Sequence, residues 1–542
     1  MPDFAAALSN AVRQTGAAMR RLLALPAATP LDYPFVDSDV AQLQRVTAAP
    51  DSFALDDQTW NDLLLAPYLD SLSSEVSIAG RQELYRRLRA GLDDAGRAAL
   101  GRRLRALQDD PARIDALRTT LRPLRQADTE IAALLFEGEP LAPPRWLGWT
   151  SLLPLALLVS IAALVLSPLA WIPAAAAMYL LMALQMRYHE QVEAWSRSLN
   201  TVHLLLAASA GLEDEAHGER PGAAQHAGRL QRSLARSLVA RMSPGIGAYG
   251  DWFALANVKH YFRSHALVLR EGAFLRACWL RCASLEADAA LARRLALRPD
   301  WCRAERSAGR SLAIDAGTHP LLAAPTGLSL ALDGQGAFIS GPNGAGKSTF
   351  LRMLGLNLVL ARAFGICHAR SARLPMLPVY ASMQNEDSLQ DGQSLYMSEL
   401  ARARALLAAA DGPHRGVCLI DEIFRGTNHV ESVAAAAAVL DTLAARALVL
   451  VSSHNLVLAS LLEHRLAPYC LRRDADERLA LAPGLLDRTN GIALLGAHGF
   501  SVEIEEKAQR VAGWLSGYLG RPEAGAHVLG PRVYPEAAER AS

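Results

Sequence analysis

The chain has 542 residues, of which 51% are hydrophobic, and its 55 basic side chains nearly balance its 54 acidic ones. This length accommodates two or three domains, and the neutral balance argues against a protein that binds nucleic acid by gross charge, so any contact with DNA must be local. The six cysteines lack paired C-x-x-C spacings, which supports neither a zinc site nor a disulfide framework and indicates a reducing cytosol.

The first 140 residues have helical patterns. Residues 1–30 place a pair of arginines inside an amphipathic pattern, which predicts an amphipathic helix and not a signal peptide. Residues 31–140 predict the first part of a helical core domain, with i, i+3, i+4 apolar spacing over 71–92. About twelve arginines stand against six acids over 81–126. This excess is typical of a solvated helix surface and also fits anionic lipid or nucleic-acid phosphates.

Residues 146–186 form a run of about 41 residues without a charge. At about 20 residues per crossing, this run is long enough to pass through a bilayer twice, and Ser167-Pro168 supplies the break between the two helices. We therefore predict a two-helix transmembrane hairpin in the cytoplasmic (inner) membrane. Arg145 and Arg187 flank the run, which places both ends in the cytosol. A buried helical hairpin of a soluble protein is the alternative interpretation.

Residues 187–296 again have helical patterns and predict the second part of the helical core. The last residues of the chain, 516–542, are rich in Pro, Gly and Ala and predict a loose tail. The segment between these two, 297–515, carries the motifs that indicate a function.

A Gly-rich stretch within 297–515 has the spacing G-x-x-x-x-G-K-S, between a strand-like run and an apolar-faced helix. This motif in this context builds the phosphate-binding loop of P-loop nucleotide-binding proteins, because its backbone N–H groups point at the phosphates. We expect Lys347 to contact the β- and γ-phosphates and the Ser348 hydroxyl to ligate Mg²⁺. The residues predicted to bind nucleotide are Gly341, Pro342, Asn343, Gly344, Ala345, Gly346, Lys347, Ser348 and Thr349.

Two more apolar runs end in side chains suited to phosphate chemistry. The run VCLI predicts a buried parallel strand that delivers Asp421 and Glu422 at its carboxyl end, where ligands lie in such sheets. We expect Asp421 to hold Mg²⁺ and Glu422 to deprotonate the attacking water. The run ALVLVSS ends in His454, which either donates a hydrogen bond to the γ-phosphate or is structural.

Several segments resemble the MutS family of mismatch-repair ATPases. Residues 387–399 are similar to that family's D-D-L-x-x-G-x-S-x-F-x-x-E segment, and residues 421–428 resemble its D-E-x-x-R-G-T block. Asn490-Gly-Ile492, with the helix that follows, resembles its Y-G-I segment, and His319-Pro320 resembles its H-P motif. The opening LDDQTWNDLLLAPYLD, over 55–70, is similar to the core of membrane-anchored members. The likeness over the ATPase covers about residues 284–515.

The resemblance implies a fold and a partner. It implies an α/β P-loop NTPase domain with a parallel sheet core over 297–515, preceded by an all-α core and lever domain (31–140 and 187–296) that the hairpin interrupts. It also implies a homodimer in which Ser394 reaches the γ-phosphate bound by the opposite subunit. Ser394 also lies at a plausible helix N-cap, and a plain cap would explain the same residue.

The chain departs from the family at two points. No segment before the helical core fits a mismatch-reading domain with its Phe-x-Glu wedge, and Ala493 stands where the family has an imidazole that stacks on adenine. We therefore expect a membrane-anchored MutS-like ATPase that uses ATP and Mg²⁺ and couples to DNA binding without mismatch recognition. The alternatives are an ABC-like ATPase component and a membrane scaffold whose ATP cycle controls protein partners.

Overall fold

The computed structural model describes residues 32–49, 53–212, 222–236, 250–383, 395–412, 415–473, 478–486, 492 and 501–518. The predicted N-terminal helix (1–30) and nearly all of the predicted tail lie outside these residues. The described residues form two compact units. Unit 1 comprises those up to Ala48 together with Ser73–Tyr85 and Asp109–Leu291, and unit 2 comprises those within Ala49–Leu72, Arg86–Gln108 and Ala292–Ser542.

The α-helices, in chain order, are α1 (Asp37–Thr47), α2 (Asp57–Asp62), α3 (Leu65–Leu72), α4 (Ile78–Ala90), α5 (Asp94–Asp109), α6 (Pro111–Leu121), α7 (Ala132–Glu137), α8 (Leu152–Ala163), α9 (Trp171–Gly211), α10 (Ala223–Leu234), α11 (Ala256–Arg270), α12 (Gly272–Leu297), α13 (Lys347–Phe364), α14 (Leu395–Asp411), α15 (His429–Arg446), α16 (Val457–Leu461) and α17 (Val502–Tyr518). Three 3₁₀ turns span Arg122–Gln126, Arg145–Trp149 and Pro168–Ala170. The strands are β1 (Cys302–Arg306), β2 (Leu312–Gly317), β3 (Leu328–Leu332), β4 (Gly336–Ser340), β5 (Ile366–Cys367), β6 (Ser371–Leu374), β7 (Val379–Ser382), β8 (Val417–Asp421), β9 (Leu448–Ser452), β10 (Leu466–Arg473) and β11 (Leu479–Pro483).

The described part of unit 1 is built of helices, as the helical patterns predict. One of its buried carboxylates closes the start of α4: Glu286 of α12 accepts hydrogen bonds from the backbone N–H groups of Ser77 (2.9 Å) and Gly80 (3.2 Å) and from the Ser77 hydroxyl. The first N–H groups of a helix have no partner within the helix, so a carboxylate at that end satisfies them. Burial raises the pKa of Glu286 to about 7, although these hydrogen bonds and Arg125 act in the opposite direction.

The charge-free run predicted as a hairpin forms α8 and the first part of α9. Leu157 of α8 packs with Ala177 and Leu181 of α9. Because neither Pro nor Gly occurs between Met186 and Gly211, α9 continues past the apolar run as one helix. Among the described residues, one helix, Pro168–Gly211, is long and apolar enough to cross a membrane by length and composition. Only 17% of its most apolar stretch is buried.

Unit 2 contains two sheets. The larger has six strands in the order β11-β10-β4-β9-β8-β7. Each strand from β10 to β7 is parallel to its neighbours in this series, and β11 is antiparallel to β10. The smaller has five strands in the order β3-β2-β6-β1-β5 and is largely antiparallel. The predicted α/β architecture is therefore confirmed at the level of mixed sheets with helices.

The core of unit 2 explains why these runs form strands. Every residue of β4, β8 and β9 is buried, as the continuous apolar runs predict for parallel strands covered on both faces. α13 is also buried along almost its whole length. It approaches its neighbours closely at Gly355, where a Cβ would stand 2.4 Å from Leu63 and 2.5 Å from Leu419. A larger residue at this position would push α13 away from the sheet.

The edge strand β7 has its free backbone groups satisfied by side chains of distant segments. The N–H of Ala381 donates to the Thr59 hydroxyl (3.0 Å), and the N–H of Met383 donates to the Asp62 carboxylate (2.8 Å). Arg402 of α14 donates to the carbonyl oxygen of Ala381 (3.0 Å). Unpaired edge groups otherwise template further pairing, so α2 and α14 close this edge of the sheet.

Candidate functional site

Three loops lie at one edge of the larger sheet, because β4, β9 and β8 are adjacent parallel strands. The register pairs Ile339 with Ser452 and Asp421 with Ser452. The carboxyl ends of the three strands are therefore level. The Gly-rich loop follows β4, Glu422 follows β8, and His454 follows β9, so the three predicted groups meet at this edge, where ligands lie in sheets of this kind.

The Gly-rich loop joins β4 to α13. Gly344 (φ 75°) and Gly346 (φ 94°) adopt left-handed backbone conformations that favour glycine. Gly346 precedes the first residue of α13, which is Lys347. The loop therefore leads into a helix N-terminus, whose free N–H groups and dipole favour an anion. Ser348 is the second residue of the helix and is half-buried.

Lys347 folds back across the loop. Its Nζ donates to the carbonyl oxygens of Gly341 (3.1 Å) and Pro342 (3.3 Å), and the side chain is buried. Burial lowers the pKa of Lys347, while the negative charges of Glu422 and Asp421 act to raise it. A buried ammonium held by carbonyl oxygens is suited to a strongly anionic ligand. Burial removes the hydration that stabilises the positive charge, and the negative charge of the ligand would stabilise it instead.

The two acidic residues after β8 are held differently. Asp421 is buried, and its Oδ1 accepts a hydrogen bond from the Ser452 hydroxyl of the adjacent strand. Glu422 has a left-handed backbone (φ 63°), which turns its side chain away from the strand direction. Its Oε1 accepts from the backbone N–H of His454 (3.0 Å) and lies 3.4 Å from the imidazole Nε2. Its Oε2 lies 3.6 Å from Nε of Arg425.

The loop after Glu422 is fixed by Glu399 of α14. The Oε2 atom of Glu399 accepts hydrogen bonds from the backbone N–H groups of Arg425 (2.9 Å) and Gly426 (3.5 Å). Gly426 also approaches α14 closely, since a Cβ there would stand 2.7 Å from the backbone nitrogen of Tyr396. Ser394 immediately precedes α14 and lies outside the described residues, so its predicted role stays a prediction.

A basic cavity of about 610 Å³ opens beside the Gly-rich loop. It is lined by Thr326, Pro342, Asn343, Gly344, Ala345, Arg472, Arg473, Arg478 and Leu479. Arg472 and Arg473 end β10, and Arg478 immediately precedes β11. A cavity that combines guanidinium groups with a glycine-containing loop is suited to polyanionic ligands.

Comparison with known proteins assigns this part of the chain. Residues 337–511 match MutS domain V. The DNA mismatch repair protein MutS of Sorangium cellulosum is 30% identical over 279 residues, and that of a Thermus thermophilus strain is 30% identical over 271 residues. Residues 337–511 thus match MutS domain V, and about half of the chain is similar to MutS proteins.

The likeness to MutS relatives is partial. The Sorangium match covers 48% of this chain and 30% of the relative, and the Thermus match covers 48% and 32%. A third, to the DNA mismatch repair protein MutS of Granulibacter bethesdensis, is 36% identical over 166 residues, 29% of this chain and 18% of the relative. The chain therefore spans about a third or less of the length of these relatives, and the predicted family resemblance is confirmed.

The candidate site contains groups that sequence reasoning missed. It did not identify the Ser452 hydroxyl on Asp421, the proximity of Arg425 to Glu422, or the three arginines of the basic cavity. The serine pair before His454 and the arginine pair at the end of β10 were the available signals. The segment around Asn490, Gly491 and Ala493 lies outside the described residues, except for Ile492.

Proposed function

We propose that this chain is an ATP hydrolase whose active site lies at the carboxyl edge of β4, β9 and β8. The observation that carries the proposal is that Lys347, Asp421 and Glu422 meet at one edge of the sheet. Lys347 follows the Gly-rich loop after β4, and the two acidic residues stand at the carboxyl end of β8, which is level with that of β4. The match to MutS domain V and the similarity to MutS proteins support ATP as the nucleotide. The oxygen ligands available here, the Ser348 hydroxyl and the Asp421 carboxylate, are of the kind that Mg²⁺ prefers. Bound Mg²⁺ would neutralise charge on the β- and γ-phosphates.

Each residue has a chemical role in this proposal. The backbone N–H groups of the Gly-rich loop and the α13 N-terminus bind the phosphates, and Lys347 moves its ammonium from the loop carbonyls to the β- and γ-phosphates. Glu422 accepts a proton from the attacking water, and the His454 backbone N–H orients its carboxylate. The half-exposed His454 side chain donates to the γ-phosphate. The basic cavity lies where guanidinium groups would contact further phosphate oxygens.

The proposal extends to a homodimer on DNA at a membrane. Ser394 would complete the site of the opposite subunit, as the family resemblance implies. The relatives are DNA mismatch repair proteins, which supports DNA as a partner, and the ATP cycle would control that contact without mismatch recognition. The exposed apolar surface of α8 and α9 supports insertion into the cytoplasmic membrane, with unit 2 in the cytosol. That surface equally favours a membrane scaffold for protein partners, and DNA-stimulated hydrolysis distinguishes the two.

Two substitutions test the proposed chemistry. Lys347→Ala should abolish ATP binding, because the buried ammonium is the main point charge on the phosphates. Glu422→Gln should bind ATP normally and lose about 10²-fold or more in turnover, because an amide cannot accept the water's proton. The matched control is Glu463→Gln, which neutralises an exposed carboxylate of unit 2. Glu422→Gln with turnover equal to that of the control would remove Glu422 from its role.

A further inference from the structure

Two cysteines face each other on neighbouring strands of the smaller sheet. Cys302 of β1 and Cys367 of β5 are direct partners in the antiparallel register. Residues opposite each other in such a pair have Cα atoms about 4.5–5.5 Å apart and side chains on the same face, which lies within the range that a disulfide spans. Both are free thiols in the structure.

The two thiols differ in access. Cys302 is half-buried and is among the residues that line a cavity of about 690 Å³ beside the sheet. Three arginines, Arg303, Arg370 and Arg373, line the same cavity together with Glu305 and Asp315. Cys367 is buried. Cys302 is therefore the more accessible of the two thiols to a small oxidant from solvent.

The two thiols also differ in reactivity. The interaction with the neighbouring Cys367 thiol lowers the pKa of Cys302. The interaction with Cys302, together with burial, raises the pKa of Cys367. Since the thiolate is the nucleophile, Cys302 is the attacking group and Cys367 holds the proton that a leaving hydroxide needs.

We propose that Cys302 and Cys367 are a site of reversible oxidation, at which hydrogen peroxide converts the two thiols into a disulfide. The Cys302 thiolate attacks one peroxide oxygen, breaks the O–O bond and becomes a sulfenic acid while hydroxide leaves. The Cys367 sulfur then attacks the Cys302 sulfur, the S–O bond breaks, and the Cys367 proton leaves with the hydroxyl as water. Two thiols are oxidised, one peroxide is reduced to two water molecules, and a dithiol reductant reverses the reaction.

The disulfide would close a segment that contains the candidate site. Residues 302–367 include β4, the Gly-rich loop and the whole of α13, and β5 follows α13 after Gly365. A bond between β1 and β5 ties the two ends of this segment together whether or not nucleotide is bound. The site is thus independent of the proposed hydrolysis, and its chemistry can be measured without any ATPase assay.

Thiol mapping tests the proposal on the full-length chain. The reduced protein is treated with hydrogen peroxide, remaining thiols are blocked, and the digested peptides are analysed by mass spectrometry. We expect a peptide pair joined through Cys302 and Cys367, with Cys302 consumed on the order of tenfold faster than the buried Cys418 and Cys470. A dithiol reductant should restore both thiols.

Variants separate the two steps. Cys367→Ser should leave Cys302 as a sulfenic acid that a dimedone probe traps, and Cys302→Ser should leave Cys367 reduced. The control Cys278→Ser, in the buried pair Cys278 and Cys282 of α12, should form the 302–367 link as the unchanged chain does. The proposal is overturned if the unchanged chain forms no 302–367 link under peroxide, or if Cys367 oxidises equally well when Cys302 is serine.

Discussion

The backbone after β8 holds two non-glycine residues, Glu422 (φ 63°) and Phe424 (φ 56°), in left-handed conformations. Each costs on the order of 1 kcal/mol or more and persists because neighbouring contacts enforce it. For this loop the contacts are the His454 N–H on Glu422 and the Glu399 carboxylate on Arg425 and Gly426. Glu399 thereby positions the loop that carries the proposed base.

Loss of Glu399 should lower turnover more than nucleotide affinity. Glu399→Ala removes the acceptor of two loop N–H groups, an interaction of about 1–3 kcal/mol, so we expect kcat to fall roughly tenfold with a smaller change in KM. Glu399→Gln keeps a carbonyl acceptor and should recover much of that loss. Steady-state ATPase kinetics of both variants provide the measurement. If Gln performs no better than Ala, the hydrogen bonds to Arg425 and Gly426 are not what matters.

Sequence reasoning reached the residues of the site by different routes. Lys347, Asp421 and Glu422 follow apolar runs that predict strands, and the motif spacing alone indicates their chemistry. Ser452 on Asp421 and Arg425 beside Glu422 depend on which strands are neighbours, which the sequence does not state. The arginine excess over 81–126 resolves in part into ion pairs, such as Arg118 with Glu75 and Arg125 with Asp32, which favours the solvated-surface interpretation for those side chains.

At the scale of elements, α4 begins on a buried carboxylate. Because the pKa of Glu286 is raised from 4.5 to about 7 in the folded chain, its stabilising contribution is full below about pH 4.5 and is lost as the pH rises through about 7. The loss amounts to about 3 kcal/mol, at about 1.4 kcal/mol per unit of pKa shift. At neutral pH the contribution of Glu286 to stability is therefore smaller than its three hydrogen bonds suggest.

Glu286→Gln should remove this pH dependence. The amide stays neutral at every pH in this range. Between pH 4.5 and pH 7.5 the unfolding free energy of unit 1 should therefore fall by about 3 kcal/mol more in the wild type than in the variant. Denaturant unfolding across this range measures it. Glu137→Gln, which alters a half-exposed carboxylate paired with Arg45, serves as the control. Parallel curves for wild type and Glu286→Gln would contradict the assignment.

The element boundaries show where a sequence stops being informative. The break around Ser167-Pro168 is visible in the sequence, and α8 ends before it while α9 begins after it. The closure of β7 by Thr59 and Asp62 is not visible, because each of these contacts joins residues more than 300 positions apart. α8 alone is about 18 Å long at 1.5 Å per residue, shorter than a bilayer core of about 30 Å. A crossing at that point needs the flanking 3₁₀ turn as well.

At the scale of the whole molecule, unit 2 draws on three separate stretches of chain. Residues 49–72 and 86–108, which sequence patterns place with the helical core, cluster with the sheets. Thr59 and Asp62 belong to the first of these stretches and satisfy the edge of the larger sheet. The part of the chain that matches MutS domain V therefore does not hold all the contacts that stabilise its own sheet.

The apolar surface of α8 and α9 predicts a membrane topology. Val165 and Leu166, between the two helices, are each 89% exposed. Exposure of such large apolar side chains is unfavourable in water and favourable in lipid. With both flanks in the cytosol, the polar break at Ser167 should face the opposite side of the membrane, so Ser167→Cys should react with a membrane-impermeant maleimide added to intact cells. Val502→Cys, an exposed position of α17, should react only after permeabilisation. Labelling of Val502→Cys in intact cells, or of neither position before permeabilisation, would contradict this topology.

The central claim, that ATP is hydrolysed at sites shared between two subunits, is tested most directly by mixing two inactive chains. Ser394→Ala and Lys347→Ala should each be inactive alone, because each homodimer lacks one required group at both sites. In a mixed dimer one site has an intact Lys347 and an intact Ser394, and the other lacks both. Random equal mixing should restore up to about a quarter of wild-type ATPase activity. No recovery despite demonstrated subunit exchange would contradict a shared active site.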